Sequence, residues 1–547
     1  LAAVLGVLSL ADALWHRHER IFDWLTPILP IPARAAAEAI IAVSGVLLLR
    51  IAAALRKRKR AAWRIAVLIC LAMGVAHVAR GAHRPAEAAV TITLLVALLT
   101  LRSRYTARSD AHNRWFAVRV LGQLLVVAVG YGMVWLAVPG QVVGRVSIVN
   151  RAREVIGSLV GLGGYLKIRD DRFADVFHAT MLSFGLVTLC CVTFLVLRAS
   201  EPAAVLSRDD EARLRRLLDA DGWRDSLGYF ALRRDKSVVW SATGKAAIAY
   251  RVVAGVALAS GDPIGDPEAW PGAIAAYRRL VESFAWTPAV MGCSERGAMA
   301  FQREYDLSAL ALGDEAVLTA PDFSLDGRAM RGIRQACRRL EREAYQVRVR
   351  RMTDLEPAEV AEMRSAAERW RGDAVERGFS MALSRIGDPD DRHCVVVTAH
   401  QSGQLRGLLH LVPWGCHGLS LDLMRRDRDA ANGLNDLMIA ELMRSCKSVG
   451  ITEVSLNFAA FRDPLERGER IGAGPLLRAR RRLLLVASRW WQIDSLYRFN
   501  AKFQPCWRPR FVSFPSVRDL PRIAFAAMEA EAFIVRPRRL NRLLGRT

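Results

Sequence analysis

LRGLLHLVPWGCHGLSLDLMRRDRDAANGLND, residues 405–436, reads as a strand, a tight turn, a second strand, a glycine turn and the start of a helix. From Gly418 to Met424 the residues alternate, which puts Leu419, Leu421 and Leu423 on one face and Ser420, Asp422 and Met424 on the other. The result is a half-buried strand with one carboxylate on its open face. Arg425 lies three positions beyond Asp422 and in a regular strand would face away from it, so a bulge near Met424 is needed to bring both to one site. A symmetrical turn centred between Gly415 and Cys416 pairs His410 with Leu421 and points it away from Asp422, as a packing histidine. Past Arg426, Asn432 and Gly433 form a turn, after which Leu434, Met438 and Leu442 repeat every four residues. That glycine turn therefore stands at a helix N-terminus. Ser420 and His417 lack the strand–turn–helix context of a nucleophile elbow, which argues against a serine triad.

The same alternation of strands and helices extends to both sides. Upstream come a helix over Gly327–Glu343, a strand Gln346–Arg351, a helix Pro357–Trp370 and strands Val395–His400 and Leu405–Leu411; downstream come a helix Leu434–Cys446 and a strand Glu453–Phe458. An earlier cycle has strands Ser237–Trp240, Ala246–Val252 and Val256–Ala259, the break at Gly261–Gly265 and a helix Pro271–Phe284. Such a doubled mixed sheet looks like a tandem acetyltransferase (GNAT) fold, with a first lobe over 201–315 and a second over 316–520. Coenzyme A readers in such folds use a Gln/Arg-x-x-Gly-x-Gly/Ala turn at a helix N-terminus. Here Gly433 is the sole matching glycine, so coenzyme A is not expected.

Residues 1–200 differ in kind. Apolar runs occupy Leu1–Leu14, Ala36–Leu55, Ala62–Val78, Ala88–Leu101, Trp115–Val138 and Phe177–Leu197, and several reach the ~20 residues a bilayer requires. A membrane domain of about six helices is the expectation, with the loop Arg56–Arg60 and the arginines at 102, 104, 108 and 114 on the cytoplasmic side. The α/β part then also falls on that side, and residues 521–547 read as a basic C-terminal tail. A net charge of +24 points to a polyanionic partner, nucleic acid or acidic lipid. The nine cysteines show neither a CxxC pair nor metal-ligand spacing, so reduced thiols and no metal are expected.

SLDLMRRDRDAANGLNDLM (420–438), SLNFAAF (455–461) and SLYRFNAKFQPCWRPRF (495–511) resemble the catalytic domain of lysylphosphatidylglycerol synthetases, the multiple peptide resistance factor family, over most of 205–520. The resemblance implies a multi-pass protein of the bacterial inner membrane. It implies transfer of an amino acid, lysine, from aminoacyl-tRNA to the glycerol hydroxyl of phosphatidylglycerol, with no further cofactor. Asp422, Arg425 and Lys502 fall on the family's functional positions. Nothing after Pro515 reads as a class II synthetase module: either that module is absent or the sequence is cut short of it, and a lysyl-tRNA synthetase is a candidate partner, as is a second copy of the chain.

An aminoacyl ester is already activated, so transfer needs placement, proton removal and stabilisation of a developing oxyanion. Asp422 is suited to hold a substrate ammonium or to receive a proton, and Arg425 to orient it or to bind phosphate through its planar fork. The residues leave that division open. On the helix over 327–343, Arg328, Arg331, Arg334 and Arg338 can follow a tRNA backbone. Arg339 and Glu341, with Asn432 and Gly433, are candidates for substrate binding. In Leu476–Trp491, Arg478 and Arg481 interleave with apolar residues, as in a helix lying on anionic lipid or packed on the sheet. Competing functions are transfer to a peptide or other amine, and a lipid transport or scaffold protein with an inactive soluble domain.

Overall fold

The computed structural model describes residues 59–79, 85–102, 111–139, 142–144, 146–197, 201–376, 378–383, 385–446, 450–460 and 493–535, with short pieces at 51–52, 55 and 105. The chain divides into two compact units, one of residues 1–200 with 282–285 and 538–547, the other of 201–281 and 286–537.

The described residues of the first unit include the helices α1 (Arg60–Ala79), α2 (Pro85–Thr100), α3 (Ala111–Leu136), α4 (Ile148–Leu159) and α5 (Asp171–Leu197). Among the described residues two stretches, Trp115–Leu136 of α3 and Asp171–Val196 of α5, are long and apolar enough to cross a bilayer. The expected first run, and nearly all of the second, lie outside the described residues. Between α3 and α5 lies α4, and its buried Glu154 carboxylate accepts the backbone N–H groups of Gly164 and Tyr165 at 2.7 Å and Leu166 at 3.0 Å. At Gly185 a Cβ would lie 1.9 Å from the Leu159 carbonyl oxygen, so the missing side chain lets α5 meet α4.

The second unit opens with α6 (Arg208–Asp221), β1 (Ser237–Trp240), β2 (Ala246–Val253), β3 (Val256–Ser260), β4 (Ile264–Gly265), α7 (Trp270–Phe284), β5 (Thr287–Cys293), α8 (Glu295–Tyr305) and β6 (Ser308–Thr319). A second cycle follows with α9 (Arg331–Arg342), β7 (Tyr345–Arg351), α10 (Pro357–Arg371), β8 (Val395–Gln401), β9 (Gln404–Trp414), β10 (Gly418–Arg426), α11 (Leu434–Cys446) and β11 (Glu453–Ala460). Then come α12 (Ile493–Ala501), β12 (Cys506–Phe514) and α13 (Leu520–Ala530). The strands form one sheet in the order β1-β2-β3-β5-β12-β6-β11-β10-β9-β8-β7, with β4 on β2.

Among the described strands two pairs are parallel, β3 with β5 and β10 with β11, and each is joined by a crossover helix, α7 or α11. This repeated unit is the structural content of the doubled pattern. β6 runs through residue 315 and pairs with β11 of the second cycle, so the two lobes share one sheet. The predicted tail begins instead as α13, because Ile523, Ala526, Ala527 and Ala530 recur at helical spacing and bury against Val253, Leu258 and Val512. In the second lobe alternate residues serve opposite faces: Val397, Leu409 and Leu411 pack with α9 and α11, whereas Val396 and Leu408 pack with Met363 of α10.

The parallel pair of the second lobe is short. β10 and β11 are in register at Gly418, Leu419 and Ser420 and then part, whereas β3 and β5 stay paired through Val256–Ser260. Beyond the parting, Asn457, at φ 64°, reaches across and donates its side-chain amide to the Leu421 carbonyl.

Candidate active site

The site is built by the β9–β10 hairpin. Its turn is centred on Cys416, with Trp414 opposite Gly418 and Leu411 opposite Leu421. The sequence placed the centre half a residue earlier. Gly415 decides the matter: it sits at φ +60° and a Cβ there would lie 2.6 Å from Trp223, whose carbonyl accepts the Trp414 indole N–H at 2.9 Å. A one-residue change of register exchanges the faces of a strand.

His410 is accordingly corrected from a packing residue to a partner of Asp422. The register shifts between Leu421 and Leu423, so Asp422 itself is the bulged residue, two positions before the expected Met424. The bulge also reverses the alternation. Leu419 and Leu421 face α9 and α11, but Leu423 goes to the α10 side instead of joining them as the pattern suggested. The His410 Nδ1 lies 2.6 Å from one Asp422 oxygen, and the Leu383 N–H donates to the other at 2.5 Å. Both side chains are buried, at 1% and 2% exposure. Burial opposes a charge on His410, but Cys394 and the Asp422 carboxylate outweigh it and push its pKa up to about 10.

Asp422 and Arg425 line the same cavity, of about 350 Å³, together with Arg364, Ala367, Glu376 and Arg385. They do not bond to each other. The Arg425 fork is taken by both Glu376 oxygens at 2.7 Å and by the Ala367 carbonyl at 2.7 Å, while Glu376 also accepts Arg371 at 3.0 Å. Arg385, which also lines the cavity, is held by Asp391 at 2.7 Å and by the Leu232 carbonyl at 2.8 Å.

Lys502 is elsewhere. It follows α12, half exposed, 3.4 Å from Asp436 of α11 and 5.3 Å from the centre of the Phe499 ring. Burial raises the Asp436 pKa and Lys502 pulls it back. Nearby, Gly433 is at φ +88°, and a Cβ there would stand 3.0 Å from that of Ala336. This glycine brings the start of α11 against α9, where the Arg339 guanidinium donates to the Asn432 carbonyl. Glu341 is exposed, and the acid beside Arg339 is Glu343 at 3.7 Å. The candidate residues therefore form two groups, Asp422 and Arg425 on the α10 side and Lys502, Arg339, Asn432 and Gly433 on the α9–α11 side.

The arginine helix is shorter than expected, starting at Arg331. Arg328, Arg331 and Arg338 are exposed, whereas Arg334 turns back to the carbonyls of Leu325 and Gly327. Arg478 and Arg481 lie outside the described residues.

Sequence reasoning missed a buried junction beside the parting strands. Arg510, which ends the Lys-Phe-x-Pro-x-Trp-x-Pro-Arg segment, donates to Asp225 at 2.7 Å, to Ser226 at 2.6 Å and to Glu315 at 2.6 and 2.9 Å. The other Glu315 oxygen accepts the hydroxyls of Ser226 and Ser455. The Ser-Leu-Asn of 455–457 was the visible signal, since Ser455 ends at this junction and Asn457 spans the gap to β10.

Residues 215–514 match the family described as phosphatidylglycerol lysyltransferase, C-terminal. The lysylphosphatidylglycerol biosynthesis bifunctional protein LysX of Mycobacterium avium (strain 104) is 43% identical over 514 residues, covering 91% of this chain and 43% of that protein. The LysX of Rhodococcus opacus (strain B4) is 43% identical over 500 residues, covering 89% and 44%. The chain thus spans less than half the length of these curated relatives. Among solved structures, L-PGS from Bacillus licheniformis superposes with a TM-score of 0.52 at 20% identity, covering 61% of this chain and 99% of that one, a likeness of fold.

Proposed function

The chain belongs to the phosphatidylglycerol lysyltransferase C-terminal family, and from that membership we propose that it moves lysine from aminoacyl-tRNA to the glycerol hydroxyl of phosphatidylglycerol. In this reading residues 1–200 form a multi-span domain of about six helices in the bacterial inner membrane, and the α/β unit works on its cytoplasmic side. The relatives' names carry the lysyl and lipid parts; the observation that supports them is that the bulge at Asp422 turns its carboxylate and Arg425 into one cavity.

The chemistry is a transesterification. The lipid hydroxyl oxygen bonds to the aminoacyl carbonyl carbon, the bond from that carbon to the tRNA ribose oxygen breaks, and the hydroxyl proton ends on the ribose oxygen. Asp422 lines the cavity and is held in place by His410 and the Leu383 N–H, and we assign it to receiving the hydroxyl proton. Arg425 holds Glu376 and the α10 backbone as one cavity wall, and the cationic side chains there stabilise the oxyanion. The exposed arginines of α9 and Lys502 are assigned to tRNA phosphates.

The test uses the full chain in phosphatidylglycerol vesicles, supplied with lysyl-tRNA or alanyl-tRNA, with lipids read by mass spectrometry. A lysyl ester of phosphatidylglycerol that disappears with Asp422→Ala is expected. No aminoacyl lipid, or transfer only to an added amine or peptide, overturns the proposal.

A further inference from the structure

The Leu383 N–H that holds Asp422 belongs to a strap, residues 378–383, with no regular secondary structure of its own. Its seat comes from the first lobe and from the end of α13. Glu531, the residue after α13, accepts the N–H of Phe379 at 2.6 Å, the N–H of Ser380 at 3.0 Å and the Ser380 hydroxyl at 2.8 Å. Arg233 donates to the carbonyls of Gly378 and Ala382. The buried Lys236 Nζ lies 4.6 Å from the centre of the Phe379 ring. Phe379 and Leu383 are themselves buried in two different cores, which leaves the strap little play.

A carboxylate is an unfavourable choice at a helix C-terminus, where the backbone dipole already concentrates negative charge. Glu531 stands at the C-cap of α13 nonetheless, and three donors of the strap converge on it. It does not line the cavity, so its influence on the site passes through the strap. Resting on the function proposed above, we infer that Glu531 is a positioning residue of the transfer reaction: it fixes the strap so that the Leu383 N–H pins the Asp422 carboxylate against His410. The first lobe, whose Arg233 and Lys236 also hold the strap, shares that task without carrying a reacting group.

Two readouts on the full chain in vesicles test this. With Glu531→Ala, kcat falls roughly 10- to 100-fold, the worth of one hydrogen bond to a charged group, while both KM values stay within about 2-fold. Glu531→Gln, which keeps an acceptor oxygen, recovers part of the loss. Hydrogen exchange over residues 378–383 accelerates across the strap in Glu531→Ala, whereas Asp422→Ala frees the Leu383 amide and leaves Phe379 and Ser380 protected. Should Glu531→Ala not fold, Ser380→Ala removes one of the three donors and produces the same changes in smaller degree. Unchanged kcat and unchanged exchange in a folded Glu531 variant overturn the inference. A wild-type chain that makes no aminoacyl lipid overturns the proposed function instead, and the exchange pattern still decides whether Glu531 positions the strap.

Discussion

His410 and Asp422 face each other across β9 and β10 as a buried pair, 2.6 Å apart, because the hairpin turns on Cys416 and the bulge falls on the aspartate itself. The pair makes stability depend on pH. The folded pKa of His410, about 10, lies above its ordinary 6.5, so the stabilisation is complete below about pH 6.5 and is lost as pH rises toward 10. Melting temperature followed between pH 6 and 10 falls in the wild type and falls less steeply in His410→Gln. Parallel curves for the two proteins would remove the charged pair from the account.

Much of the second lobe is legible in the chain. The leucine alternation of β10 and the four-residue spacing of Leu434, Met438 and Leu442 in α11 locate both elements, and Gly433 marks the turn between them. The catalytic geometry is less so. Whether a hairpin turns on two residues or three depends here on Gly415 lying against Trp223, a contact between lobes that no local pattern records. Half a residue in the turn centre decides whether His410 sees Asp422. The strap at 378–383 has no periodicity to read, and Glu531 sits in what composition presents as a tail. Lys502 does not line the cavity, because the chain after α12 sets it against Asp436 of α11.

Gly433 gives a local test of how the α9–α11 group is built. Gly433→Ala forces a side chain into the left-handed region and against Ala336, which costs roughly 1–3 kcal/mol. The expected outcome is a lower melting temperature with faster hydrogen exchange at the start of α11, and protection unchanged at the distant β1 and β2. An alanine variant as stable as the wild type would show that α11 approaches α9 less closely than the structure has it.

Arg510 is nearly fully buried and satisfies Asp225 and Glu315 together. Burial opposes its charge, yet the two carboxylates hold it protonated above its ordinary value. Arg510→Met strands both acids and should cost about 3–5 kcal/mol, whereas adding Glu315→Gln to the same chain returns part of that loss. Thermal unfolding of the two variants ranks them; a double variant less stable than the single one would contradict the shared network.

Arg425 and Glu376 are predicted to act as one unit. One guanidinium nitrogen, Nη2, donates to both Glu376 oxygens while Nη1 donates to the Ala367 carbonyl, and the single ammonium of a lysine cannot reproduce that spread set. Arg425→Lys therefore lowers transfer activity although the charge is kept. Glu376→Gln weakens the same wall from the other side, so the double variant is little worse than either single one. Expressed as a cycle, the coupling lies in the range of about 0.5–3 kcal/mol found for side chains in direct contact. Single-turnover rates of the four proteins measure it. Strict additivity would mean that Arg425 works on substrate independently of Glu376, and the fork would then have to leave the carboxylate and meet a phosphate during the reaction.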